Sequence, residues 1–136
     1  MLEKLENWVF VEWSKANELV QDVNFPTNML YAATLKTAGE LYHDSALIEK
    51  SAYLADVIRN RSFDGSYFVD NELRTENGLR ATGERTETCQ YYAFFFDIAK
   101  PEQYPELWRV LTEEFGPDRV KKGMHPDIYP ANAFVG

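Results

Sequence analysis

Asn28-Met29-Leu30-Tyr31-Ala32-Ala33-Thr34-Leu35-Lys36-Thr37-Ala38-Gly39-Glu40-Leu41-Tyr42 is the stretch that decides the fold. Met29, Leu30, Ala33, Leu35, Ala38, Leu41 and Tyr42 recur mostly at three- and four-residue intervals, the period of one helix face, and no proline interrupts them. Pro26 biases Phe25 away from the α region and Thr27 is a good N-cap. The pattern therefore predicts a helix over about 28–43, ended by the polar break His43-Asp44.

Immediately after that break, Asp44 or Ser45 can cap a second helix whose apolar face is Leu47, Ile48, Tyr53, Leu54, Val57 and Ile58, ending near Arg61. A link this short makes the two helices antiparallel neighbours. Phe63-Asp64-Gly65-Ser66-Tyr67-Phe68-Val69-Asp70 is rich in turn formers and reads as connection. Asn77-Gly78, between Glu72–Thr75 and Leu79–Thr82, carries the signature of a tight type I′ turn and predicts a small β-hairpin or a long excursion.

A third helix is expected from near Thr86 through Ile98, with Glu87 in its first turn. Its Tyr-Tyr-Ala-Phe-Phe-Phe run is apolar nearly all round, which predicts burial on both sides. A fourth opens with Pro105, carries Leu107, Trp108, Leu111 and Phe115, and stops at Gly116-Pro117. Upstream, Asn7–Trp13 reads as extended or irregular, and 118–136, with Gly123, Pro126 and Pro130, reads as loop with room for a new helix to begin at its very end. The fold class expected is mainly α: two consecutive antiparallel helical hairpins, starting near Thr27 and Thr86, joined by a long loop or small β-hairpin. The two pairs do not match residue for residue, so no short solenoid repeat is read.

Composition narrows the functional classes. The chain has 136 residues, 14 Lys plus Arg against 22 Asp plus Glu, and a formal charge of −8. One domain of this size buries roughly 70% of its unfolded surface, and 3 Trp, 8 Tyr and 9 Phe supply bulky core material. A pI of about 4.7, with no basic cluster beyond Lys121-Lys122, argues against nucleic acid as partner. Apolar runs fall short of the roughly 18 residues that span a bilayer, and Met-Leu-Glu-Lys-Leu-Glu lacks a signal-peptide profile, so no membrane role is expected. The compartment is left open.

Trp8-Val9-Phe10-Val11-Glu12-Trp13, followed by Asn28 through Ala38, then Phe63-Asp64-Gly65 through Asp70, Thr86-Glu87-Thr88-Cys89-Gln90-Tyr91-Tyr92-Ala93 and Pro130-Ala131-Asn132-Ala133-Phe134, resembles the bacterial α-L-rhamnosidases. These are six-hairpin, (α/α)6-barrel glycoside hydrolases. The resemblance covers most of the chain, and its motifs are short and shared with other six-hairpin enzymes. It departs from the pattern at Glu12, where the family more often has Asp. It implies part of an (α/α)6 toroid acting on rhamnosides or related plant or bacterial glycans. In the family the general acid lies in an acidic stretch upstream of the Trp loop and the general base downstream near a Trp-Glu pair. Neither has a counterpart here, so the resemblance implies about a third of a catalytic barrel, inactive alone.

Inverting glycoside hydrolysis needs two carboxyl groups about 6.5–9.5 Å apart, and no catalytic pair is assigned. The candidate saccharide contacts are Glu12, Trp13, Glu84, Trp8 and Glu87. Glu12 lies in an apolar setting that can raise its pKa, or makes a rim hydrogen bond. Trp8 and Trp13 offer flat faces for a pyranose, or pack in the core. Glu84 precedes a helix start, the better place to meet a sugar hydroxyl, whereas Glu87 is as well explained by the helix dipole. Tyr67 and Tyr91 rank lower.

His43 and His125 lack metal-ligand spacing and read as surface residues. Cys89, the single cysteine, has no disulfide partner in the chain and reads as a buried, inert thiol. No Gly-rich phosphate loop or Gly-x-Ser-x-Gly elbow occurs, so nucleotide enzymes and serine hydrolases drop out; no cofactor is expected, and the histidine spacing leads to no expected metal. The apolar helix around Phe94, Phe95 and Phe96 predicts self-association if its faces stay uncovered. The alternative reading is a stand-alone helical module that binds a protein or a glycan without catalysis.

Overall fold

The computed structural model describes residues 1–4, 10–11, 22–114 and 128. The protein is mainly helical with a small antiparallel sheet. In order come β1 (Val23–Asn24), α1 (Phe25–Tyr42), α2 (Ser45–Ser62), β2 (Asn71–Thr75), β3 (Gly78–Ala81), α3 (Glu87–Phe95), α4 (Pro105–Arg109) and a π-helical turn, Val110–Glu114.

The first helix begins three residues before the sequence places it. Asn24, not Thr27, is the N-cap: its side chain accepts from the Thr27 amide at 2.9 Å and the Thr27 hydroxyl at 2.7 Å. Pro26 then falls in the first turn, where a missing N–H costs nothing. The buried stripe is also shifted, running through Phe25, Asn28, Met29, Ala32, Leu35 and Gly39, while Leu30, Leu41 and Tyr42 face outward. Two polar or featureless members, Asn28 and Gly39, hide that stripe from an apolar-residue search. Asn28 is buried because its amide holds Leu2, accepting from Leu2 N at 2.7 Å and donating to Leu2 O at 3.2 Å.

Asp44 caps α2, its carboxylate accepting from the amides of Ala46 and Leu47. The two helices run antiparallel, as the short link requires. Gly39 meets Ile48 at the near end, and farther along the Ser51 hydroxyl donates to Ala32 O at 2.7 Å. Leu54 and Ile58 carry α2 into the core.

β1 pairs with β2 (Val23 opposite Glu72) and β2 with β3 (Glu72 opposite Ala81, Thr75 opposite Gly78). The predicted hairpin is there, but its turn is not type I′, which needs left-handed backbone at both central residues. Neither Glu76 nor Asn77 has positive φ; only Gly78 does, at 95°. Thr75 fastens the corner, its hydroxyl accepting from Asn77 N and donating to Gly78 O.

α3 starts where the sequence puts it, with Thr86 as N-cap accepting from Cys89 N, but stops at Phe95. Asp97 turns the chain with a φ of 58°, and Ile98 N and Ala99 N both donate to Ala93 O. The expectation of burial on both sides fails. Its buried face is Glu87, Thr88, Cys89, Gln90 and Ala93, whereas Phe95 is 80% exposed. Polar side chains go inside because they find partners there. The fourth helix opens at Pro105 as predicted, five α residues running on into the π turn, where the Thr112 hydroxyl donates back to Trp108 O at 2.9 Å; its predicted end at 115–117 lies outside the described residues. Among the described residues, only the first hairpin is built of two long helices.

α1 and α3 are related in a way the sequence conceals. The amide of Phe25, first residue of α1, donates to Asp70 O, and the amide of Thr86 donates to the Asp70 carboxylate, so both helices begin at one residue. Farther on, Lys36 Nζ reaches Asp97 Oδ2 at 2.9 Å across 61 positions, the separation that also divides Phe25 from Thr86. The helices are therefore parallel and in register. Along this offset the burial repeats: Met29 and Gln90 are buried, Leu30 and Tyr91 exposed, Tyr31 and Tyr92 half-buried, Ala32 and Ala93 buried, Thr34 and Phe95 exposed. Only Thr27/Thr88, Tyr31/Tyr92, Ala32/Ala93 and Ala38/Ala99 are identical. The repeat is one of geometry more than of residues.

Candidate functional site

The end of the molecule where α1 and α3 both start is built around Asp70, which is 1% exposed. Its carboxylate accepts from Thr86 N at 2.8 Å and Thr86 Oγ1 at 2.7 Å, and its own amide donates to Glu84 O at 2.8 Å. A buried carboxylate is tolerable only with such donors. Gln90, wholly buried, completes the seam: its Oε1 accepts from Phe68 N and its Nε2 donates to Phe68 O and Thr86 O. The loop 63–70 is thereby fixed to the first turns of α3 by side chains acting as surrogate backbone.

Glu84 lies in the connection from β3 into α3 and is half-buried. Its amide faces Thr82 Oγ1 at 3.2 Å, and the Thr82 hydroxyl is itself bonded to the Asn71 side chain. The Glu84 backbone is consequently held from both sides. Glu87, three residues on, is 2% exposed in the first turn of α3. It is not the side-chain cap, which Thr86 supplies; its carboxylate sits at the positive end of the helix dipole. Glu84 is the more accessible of the two. The remaining saccharide candidates, Glu12, Trp13 and Trp8, lie outside the described residues.

Beside this end, Arg85 is bound to Asp64, with Nε at 2.7 Å from Oδ2, and lies over the Tyr67 ring at 5.7 Å. Asp64 also accepts from the amides of Ser66 and Tyr67. Burial pushes its pKa up, but the two amides and Arg85 outweigh that and hold it below the ordinary value. The loop that carries Asp70 is thus tied down at both ends.

Cys89 is wholly buried, its thiol near Val69 O at 3.6 Å. Burial first, and the neighbouring Asp70 charge second, push its pKa well above the ordinary value. It cannot serve as a nucleophile at neutral pH. Tyr91 lies at the middle of α3 on its exposed face, and partial burial of its hydroxyl raises that group's pKa. His43 is exposed at the C-cap of α1, and His125 lies outside the described residues. Among the described residues, no group of three or more His, Cys, Asp or Glu is placed to hold a metal ion, and no helix is long and apolar enough to cross a membrane.

The residues missed in the sequence are Asp70 and Gln90. Their signal is a polar side chain inside an otherwise apolar stretch: Asp70 after Phe68-Val69, and Gln90 before Tyr91-Tyr92. The arrangement holds Glu84 half-buried, with its Oε2 enclosed, on a rigid frame at the common start of two parallel helices. Comparison with family models, with curated proteins and with solved structures finds no match to this chain.

Proposed function

We propose that this chain forms part of the helical wall of a glycoside hydrolase acting on α-L-rhamnosides or related glycans, and that Glu84 faces the saccharide. The observation that supports the reading is the in-register, parallel pairing of α1 and α3, both starting at Asp70. Successive helices that repeat at a fixed offset and bring their N-termini to one side are what an α/α toroid requires of neighbouring inner helices. The acidic loop residue at that side is Glu84.

Two described carboxylates, Glu84 and Glu87, flank the start of α3, and Glu87 is sequestered. Glu84, half-buried, is the carboxylate left to accept from a sugar hydroxyl, and one carboxylate does not make an acid and base pair. The chain by itself is therefore expected to bind and not to hydrolyse. Titration of the protein with methyl α-L-rhamnoside, followed by amide NMR, tests this. The expected result is saturable shifts at residues 82–87, weakened at least fivefold in Glu84→Gln, with no aglycone released from an aryl α-L-rhamnoside. Shifts absent at saturating sugar, or unaffected by Glu84→Gln, overturn the reading.

A second reading, a stand-alone interaction module, is favoured by one observation: Phe95 and Trp108 expose 80% and 41% of their surface. It predicts a defined protein or glycan partner at those residues and no response at Glu84.

A further inference from the structure

We infer that Asn77 is a site of self-modification, where the corner of the β2–β3 hairpin converts, with water as co-reactant, to isoaspartate and aspartate, and that the Thr75 hydroxyl sets the rate. The site lies apart from the saccharide reading and does not depend on it. Asn77 is the one asparagine in the sequence followed by glycine, and asparagine is a thermolabile side chain. The Gly78 nitrogen bonds to Asn77 Cγ while its proton passes through water to Nδ2; the Cγ–Nδ2 bond breaks, ammonia leaves and a succinimide closes. Water then adds to one of the two imide carbonyl carbons. Addition at Cγ gives aspartate, and addition at the main-chain carbon leaves the chain running through Cβ and Cγ, which is isoaspartate.

The fold gives this chemistry access. Asn77 and Gly78 are both exposed. A side chain on the second residue would obstruct the attacking nitrogen, but Gly78 has none, and nothing else lies within 4 Å of where its Cβ would stand. The hydrogen bond that holds Asn77 is made by its backbone amide, so its side chain is left to turn toward Gly78. The other described asparagines fall away: Asn24, Asn28 and Asn71 are buried, and Asn60 lies within α2 before Arg61. Asp64-Gly65, also exposed, is the contrast. Its carboxylate is pinned by the Ser66 and Tyr67 amides at 3.0 and 2.9 Å and by Arg85 Nε at 2.7 Å, and an ionised carboxylate is a poor electrophile.

Thr75 restrains both flanks of the reacting peptide. Its hydroxyl accepts from Asn77 N at 3.2 Å and donates to Gly78 O at 2.8 Å, one on either side of the Asn77–Gly78 bond. For the Gly78 nitrogen to reach Cγ, that peptide must swing about the Asn77 Cα–C bond. Both hydrogen bonds oppose the swing, as does the pairing of Thr75 opposite Gly78. Isoaspartate then adds an atom to the backbone at the corner that sets the register of β2 on β3, and loosens it.

The test keeps the folded protein in mildly alkaline buffer and maps tryptic peptides at intervals against a zero-time sample, with electron-transfer fragmentation to tell isoaspartate from aspartate. Cleavage after Arg74 and Arg80 isolates residues 75–80, and residues 62–74 carry Asp64 in the same digest. The expected result is isoaspartate in excess of aspartate at Asn77, forming faster at higher pH and at least fivefold more slowly than in the end-capped synthetic peptide of residues 75–80, with Asp64 unchanged. Thr75→Val should accelerate the conversion in the folded protein at least threefold, whereas Thr75→Ser, which keeps the hydroxyl, should hold the parent's rate. No conversion above the zero-time sample, aspartate without isoaspartate, or a Thr75→Val rate equal to the parent's overturns the inference. So does an acceleration in Thr75→Val that appears equally at Asp64, which marks general unfolding and not release of the corner.

Discussion

Asp70 accepts both hydrogen bonds that Thr86 can give it, from the backbone amide at 2.8 Å and from the hydroxyl at 2.7 Å. The same threonine hydroxyl accepts from Cys89 N at 3.1 Å, so one chain of hydrogen bonds runs from the loop into the helix. Asp70→Ala leaves a buried N–H and O–H unsatisfied and is expected to cost about 3 kcal/mol, from charged hydrogen bonds worth about 1.5–3 kcal/mol each plus the orphaned donors. Thr86→Ala should cost about 1–2 kcal/mol. Urea unfolding of both and of the double variant gives the coupling. A coupling energy near zero would mean that this joint does not hold α3 to the loop.

Gly39 lies at a tight contact of α1 with the start of α2. A Cβ there would stand 2.6 Å from Ile48 Cγ1, 2.9 Å from Asp44 O and 3.0 Å from Ile48 N. Helix propensity alone favours alanine over glycine by about 1 kcal/mol, so Gly39→Ala decides between local preference and packing. Two of the three obstacles are backbone, which cannot rotate away, and a net loss of about 1–3 kcal/mol is expected. Adding Ile48→Ala removes only the side-chain clash and should rescue part of it. A more stable Gly39→Ala protein would show that the helices can move apart freely.

Much of the scaffold was legible because local chemistry marks it. Asp44 announces the start of α2, Thr86 that of α3, and Asn77-Gly78 the hairpin, although there one left-handed residue suffices where type I′ needs two. The faces of α1 and α3 were not legible. Asn28, Gln90 and Glu87 are buried through partners distant in sequence, which periodicity cannot see, and Phe95 is exposed because the polar face of α3 took the inside. The parallel repeat was invisible for a related reason. Burial and backbone recur between α1 and α3, but the residue types that satisfy them differ. Of the site, Glu84 and Glu87 fall at the start of α3 as read, while Asp70, which organises that end, carries no local motif.

Cys89 provides a readout of opening at this joint. With the thiol wholly buried and its pKa raised by burial and by Asp70, a thiol reagent meets neither an accessible nor an ionised sulfur in the native protein. Labelling in native buffer is expected to be at least a hundredfold slower than in denaturant. Asp70→Ala should accelerate it by loosening the start of α3, whereas a variant on the outer face of α2, such as Tyr53→Ala, should not. Fast labelling of the parent protein would place the sulfur at the surface and remove the buried seam.

The acid limb of the stability curve should carry the signature of Asp64. Its carboxyl is more acidic in the folded protein than in the unfolded chain: burial opposes this, but the Tyr67 and Ser66 amides and Arg85 together prevail. The unfolded chain therefore binds the proton more readily, and stability from this group is full above the ordinary aspartate value of about 3.9. It is lost as pH falls through the lower folded value. Asp64→Asn should be less stable than the parent at neutral pH, and the gap should close on acidification below that range. Arg85→Lys, which keeps the charge but loses the paired geometry at Asp64 and the planar contact with Tyr67, should fall between them. Urea midpoints at neutral pH and at several acidic values measure the gap directly. A difference between Asp64→Asn and the parent that stays constant with pH would assign the stabilisation to shape and not to charge.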